Sequence, residues 1–203
     1  MKRQLPDVYA RIQSRAVFFT LWFFCGDQEL RHGERGKAMK SWRRCLELSD
    51  RYFSKILADR RLPSNPAELR CQLLPDKPEI LAIAAFELFP NPEAHDKRRP
   101  LLEKALALLD HQPRGLKPEE WHLKGHIHRA LDQGPAAVTA FRAALLEQPQ
   151  EIRWRQDLAT LLYQQKQWAE ARRELRIILD QRPDDVEARR VLDAAQRQIA
   201  EGK

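Results

Sequence analysis

Residues 118–151 read PEEWHLKGHIHRALDQGPAAVTAFRAALLEQPQE, and residues 152–185 read IRWRQDLATLLYQQKQWAEARRELRIILDQRPDD. The two lines superimpose at an offset of 34 residues: Gly125, Ala137 and Pro149 fall on Ala159, Ala171 and Pro183. Large apolar residues, Phe141 and Leu175, follow the second small residue by one helical turn. Small residues at Gly125 and Ala137, or Ala159 and Ala171, let two helices approach closely, and Phe141 or Leu175 fills the groove beyond. The proline then stops the second helix, because it has no N–H and its ring clashes with the preceding turn. One such hairpin leaves an apolar face that only a neighbouring copy can bury, so copies stack.

A third copy lies near the N-terminus. Trp22, Gly26, Ala38, Trp42 and Asp50 repeat the internal spacing of Trp121, Gly125, Ala137, Phe141 and Pro149. Gly33 suits the turn between its helices, and Cys25 and Glu29 stand at two further positions of the pattern. This spacing resembles the tetratricopeptide repeat, Trp-x2-Leu-Gly-x2-Tyr, Ala-x3-Phe and Pro on 34 residues. The resemblance implies an all-α fold, a right-handed solenoid of antiparallel helix pairs with irregular central repeats and a C-terminal capping helix. It also implies a protein-binding scaffold or adaptor rather than an enzyme. The runs Trp42–Ser49 and Glu170–Arg176 are similar to bacterial members, some of which serve as soluble arms beside envelope-polymer or secretion machinery.

The rest of the chain is read outward from these copies as a single helical-repeat domain over 1–203. A degenerate repeat covers 19–52, irregular helical repeats 53–117, regular repeats 118–151 and 152–185, and a capping helix 186–203. In more detail, a lead-in helix is expected over 1–15, with Val8, Tyr9 and Ile12 on one face. Helices are expected at 16–31, 35–49 and 51–60, then from Pro66, over 78–89, over 100–112 and over 184–200. The helix from Pro78 is apolar on most sides and is expected at the centre of the stack.

Composition describes an ordinary globular chain: 203 residues, 32% charged and 43% hydrophobic. The net charge of +7 is concentrated at the start, where residues 1–60 hold 13 Lys plus Arg against 7 Asp plus Glu. Such a face suits an acidic protein, an anionic membrane or nucleic acid. A nucleic-acid-binding helical repeat is therefore the alternative function. The aromatic run 16–25 is too short to span a bilayer. It is read as a buried helix containing Trp22, with peripheral membrane association as its rival. Cytoplasmic location is expected, or a cell-envelope assembly as the alternative. The three cysteines give no disulfide or zinc pattern, and Cys25 and Cys45 are expected buried.

No phosphate loop or nucleophile elbow is present in the sequence. His122 and His126 stand four apart on one helix, a metal-binding spacing, but the sequence offers no third ligand. No catalytic residue, metal or cofactor is expected. His128 takes the family's Tyr position and is expected packed. In the resembling family the concave surface is lined by first-helix positions that here are Glu119, His122, His126 and Arg129, then Arg153, Gln156, Thr160 and Tyr163. The last helix adds Arg190 and Arg197. That lining implies a groove for an extended, acidic protein or peptide partner.

Overall fold

The computed structural model describes residues 5–202 apart from 60 and 64, and the backbone alone at 5–17, 66 and 92. The described residues hold eleven α-helices, one short 3-10 turn and no strand. Contacts divide the chain into two compact units, one ending at Leu108 and one beginning at Leu109.

The second unit is the regular one. Helices α7 (Pro118–Ala130), α8 (Gly134–Glu147), α9 (Ile152–Gln164), α10 (Trp168–Gln181) and α11 (Val186–Ala200) pack in chain order, each on the next. Phe141 is fully buried against the bare face of Gly125, where a Cβ would stand 2.5 Å from its ring. One repeat later Ala159 and Leu175 occupy the same places, joined by Ile178 and Ala188. Ala137 and Ala171 are buried.

The turns inside the pairs are built alike. The first helix ends on a residue with positive φ, Asp132 at 59° and Lys166 at 61°. The next N–H then reaches back five residues, from Gln133 to the His128 carbonyl and from Gln167 to the Leu162 carbonyl. That is the Schellman closure, which satisfies carbonyls the helix end would otherwise orphan. The links between pairs also repeat at 34 residues. The Arg155 guanidinium donates to the Pro149 carbonyl at 2.7 Å, and that of Arg189 to the Pro183 carbonyl at 2.5 Å.

The first unit opens with the same device. Helix α1 (Leu5–Arg31) meets α2 (Arg35–Leu48) through Gly33 at φ 80°, and the Glu34 N–H closes on the Glu29 carbonyl. The Gly26 face lies under the Trp42 ring, where a Cβ would come within 2.4 Å. The Trp42 indole N–H donates to the Phe23 carbonyl at 3.1 Å. Beyond α2 come three shorter helices, α3 (Phe53–Leu57), α4 (Pro66–Gln72) and α5 (Pro78–Leu88), then a 3-10 turn at Pro92–Ala94 and the longer α6 (His95–Asp110).

Several expectations are corrected here. The lead-in helix and first repeat helix are one helix, α1, because nothing between Asp7 and Arg31 breaks it. The Val8, Tyr9 and Ile12 face lies outside the described side chains. Trp22 is not core: it is 38% exposed, because the buried stripe of α1 runs through Phe19, Phe23, Gly26 and Leu30. Trp22 stands at the edge of that stripe. Cys25, further round the helix, is exposed, and only Cys45 is buried. Burial pushes the Cys45 thiol up to about 11, so it behaves as a small apolar group.

The helix expected over 51–60 is shorter, Phe53–Leu57, held by buried Phe53 and Ile56. Helix α5 is not enclosed all round: Ile83 and Phe86 are exposed, with the Arg98 guanidinium 5.8 Å from the Phe86 ring. Helix α6 starts at His95 rather than Pro100. The Asn91 side chain caps the short turn before it, and Pro100 sits inside the helix at the loss of one backbone bond.

Candidate functional site

The first helices of the second unit stand side by side and are linked by polar side chains. On α7, His122 and His126 project from one face with rings 4.4 Å apart and nearly perpendicular. Asp157 of α9 reaches both. Its Oδ2 lies 2.9 Å from His122 Nε2 and 3.3 Å from His126 Nε2. Arg129, one turn further along α7, stands 3.1 Å from His126 Nδ1 and 3.8 Å from Asp157 Oδ1. Trp154 stacks on the His122 ring at 4.9 Å, and Phe141 packs against both imidazoles.

The protons of this cluster follow from the partners. A guanidinium only donates, so His126 Nδ1 accepts from Arg129 and a neutral ring carries its proton on Nε2. That proton points at Asp157. His122 Nε2 likewise donates, since the carboxylate only accepts. Burial alone would push the Asp157 carboxyl up, but its hydrogen bonds to His122 and His126 outweigh this. The group is held well below the ordinary carboxylate range. Asp157 is thus a charged clasp between two repeats at neutral pH.

A second clasp lies one repeat on. The Gln156 amide donates to Asp185 Oδ2 at 2.9 Å, while Asp185 Oδ1 accepts from the Ala188 N–H as the N-cap of α11. On the other side, Glu120 ties the approach to α7. Its carboxylate accepts from the Lys117 N–H at 2.8 Å, from the Gln112 amide at 3.2 Å and from the Arg114 guanidinium at 2.5 Å. Burial would raise this carboxyl; those three donors hold it low.

The expected lining is therefore split. His122, His126 and Arg129 are gathered on Asp157, and Gln156 is engaged with Asp185. Arg153 and Thr160 are exposed on α9. Tyr163 is half-buried, packed on the core below and edge-on to Trp168 at 4.8 Å. Arg190 is exposed and pairs with Glu187 of its own helix, and Arg197 is exposed with its Nε 3.4 Å from the Asp193 carbonyl. His128 is half-buried, its Nδ1 2.6 Å from Gln133 Oε1.

Two corrections follow. The lining is not simply basic, because Asp157 and Asp185 stand in it. And a third candidate ligand does exist: His122, His126 and Asp157 present ligand atoms all within 4.8 Å of one another. Sequence reading passed over Asp157 because the family's lining positions on α9 skip it. The available signal was an acid 35 residues after His122, one repeat and one residue on.

Residues 129–198 match the tetratricopeptide repeat family. No curated protein matches the chain. Among solved structures, the chain resembles one from the crystal structure of the APC/C hetero-tetramer Cut9–Hcn1, with a TM-score of 0.51 at 18% identity. The likeness covers 88% of this chain and 36% of that one, so this chain spans about a third of its length. The crystal structure of MamA protein gives a TM-score of 0.49 at 12% identity, over 90% of this chain and 83% of that one. At 18% identity the first of these likenesses is one of fold.

Proposed function

From a chain that carries tetratricopeptide repeats over residues 129–198, we propose a binding scaffold whose face along α7, α9 and α11 holds an extended segment of a partner protein. The observation that carries this reading is the division of α9 into two faces. Leu158, Ala159, Leu161 and Leu162 are buried, while Arg153 and Thr160 stay open beside Gln156 and Tyr163. The clasps at Asp157 and Asp185 fix the spacing of the three helices before a partner arrives, which lowers the ordering cost of binding. With Arg129 occupied by Asp157, the cations offered to an acidic partner are Arg153, Arg197 and Arg190, the last by leaving its exposed pair with Glu187.

The test is the double variant Arg153→Glu/Arg190→Glu. Both side chains are exposed, so folding should be unchanged. Capture of partners should fall by about tenfold at low salt, and by less at high salt where screening already weakens such contacts. Equal capture of the same partners at both salt levels would remove the groove from the proposal.

A second reading concerns the first unit and rests on a different observation. Helix α1 exposes Phe18, Leu21, Trp22 and Phe24, four large apolar side chains outside its buried stripe. Phe18 and Trp22 line a shallow apolar depression with Leu48 and the stem of Arg44. Among the described residues no helix is long and apolar enough to cross a membrane. An aromatic face flanked by exposed cations such as Arg31, Lys40 and Arg44 suits the surface of an anionic bilayer. The protein should co-sediment with vesicles containing phosphatidylserine, and Phe18→Ser/Phe24→Ser should abolish this. No binding to such vesicles at low salt would leave the face to a protein partner.

A further inference from the structure

We propose that His122, His126 and Asp157 form a binding site for a divalent cation of borderline softness, zinc above all. Two imidazoles and one carboxylate are a ligand set of the kind zinc accepts, with further positions left open. Tetrahedral bonds of about 2.0–2.2 Å place ligand atoms roughly 3.3 Å apart. Asp157 Oδ2 already stands 2.9 Å and 3.3 Å from the two Nε2 atoms. The rings are held before any ion arrives: His122 lies against Trp154, and both imidazoles rest on buried Phe141. The two histidines come from one repeat and the carboxylate from the next, so the ion would pin adjacent repeats together on the proposed partner-binding face. The inference does not depend on that face binding anything.

Binding requires each neutral imidazole to change tautomer, with no net loss of protons, so that the Nε2 lone pair is free for the ion. Each Nε2 proton must leave, and each ring must carry its proton on Nδ1 instead. At His126 this meets an obstacle, because Arg129 occupies Nδ1 as a donor at 3.1 Å. The guanidinium must swing away, and its charge opposes a second cation nearby. Arg129 is partly exposed, so it has room to leave. Arg129 is therefore an antagonist of the site, and it sets the affinity below what the three ligands alone would give. A residue that accepts from Nδ1–H would do the reverse, as metal-bound histidines ordinarily require.

Cobalt(II) and nickel(II) are the probes, added to the purified full chain at neutral pH after chelator treatment. Cobalt(II) should bind one to one with visible bands of a nitrogen and oxygen site, and without the near-ultraviolet band of thiolate ligation. Nickel(II) should quench the fluorescence of Trp154, and Trp154→Phe should remove that quenching. Asp157→Ala should weaken binding by about tenfold or more. Arg129→Gln, whose amide oxygen can accept from Nδ1–H, should tighten it by about tenfold, within the range second-shell partners exert. This gain cannot come from a variant that merely unfolds. No cobalt binding at millimolar ion, a thiolate spectrum, quenching that persists in Trp154→Phe, or Arg129→Gln binding no tighter than wild type would each overturn the proposal.

Discussion

Gly125→Ala is expected to destabilise the protein, although alanine is the better helix former by about 0.8–1.0 kcal/mol. The new methyl would stand 2.5 Å from the Phe141 ring, and Phe141 is fully buried with nowhere to move. Overpacking of this kind costs about 1–3 kcal/mol, more than the propensity gain over most of that range. Gly26→Ala should behave alike, because its methyl would meet the Trp42 ring at 2.4 Å. Gly36→Ala is the control: it lies in α2 with nothing within 4 Å, so the same change should stabilise by up to about 1 kcal/mol. Combining Gly125→Ala with Phe141→Leu should recover part of the loss, since the smaller side chain frees the space. Thermal melts decide it; a rise in Tm for both Gly125→Ala and Gly26→Ala would mean that the two pairs are not closed by these contacts.

Those glycine contacts also explain which parts of the structure could be read from the chain. The turn at Gly33, Asp132 and Lys166, and the small residue facing Trp42, Phe141 or Leu175, all lie within one helix pair. Each depends on residues a fixed short distance apart, so a single sequence displays them. The Arg155 and Arg189 bonds to Pro149 and Pro183 keep the same period, an arginine six residues after each closing proline, but the sequence reading did not draw on it. The stretch from α3 to α6 has no such period, and there local signals set helix ends wrongly: Pro100 marks a start by its chemistry, yet α6 begins five residues earlier. Trp22 shows a different limit. Its place in the spacing matched Trp121, but burial follows from what packs against the helix, and among the described side chains of α1 the buried ones form the Phe19–Leu30 stripe. At the candidate site, His122 and His126 were legible because both stand on α7. Asp157 was not, because what makes it important is contact across a repeat boundary with residues 31 and 35 positions away.

Asp157→Ala should therefore produce the larger of the stability losses at the site, measured in chelator so that no ion contributes. The substitution leaves the His122 and His126 N–H groups and the Arg129 guanidinium without their shared acceptor. Hydrogen bonds to a charged group are worth about 1.5–3 kcal/mol, and the half-buried setting places the loss in that range. For a chain of this size that is a fall in Tm of roughly 3–12 °C. The loss should be shared rather than additive with His122→Ala, because each variant removes one side of the same contact. Acid gives the sign test. The folded-state carboxyl sits below its ordinary unfolded value of about 3.9, so its contribution is present in full above that pH. It is lost only as pH falls below about 4 toward the folded value, and there the gap between wild type and Asp157→Ala should close. Equal melting of the two proteins at neutral pH would mean that water serves the histidines as well as Asp157 does. In that case α7 and α9 are held together by the Phe141 and Leu158–Leu162 core alone.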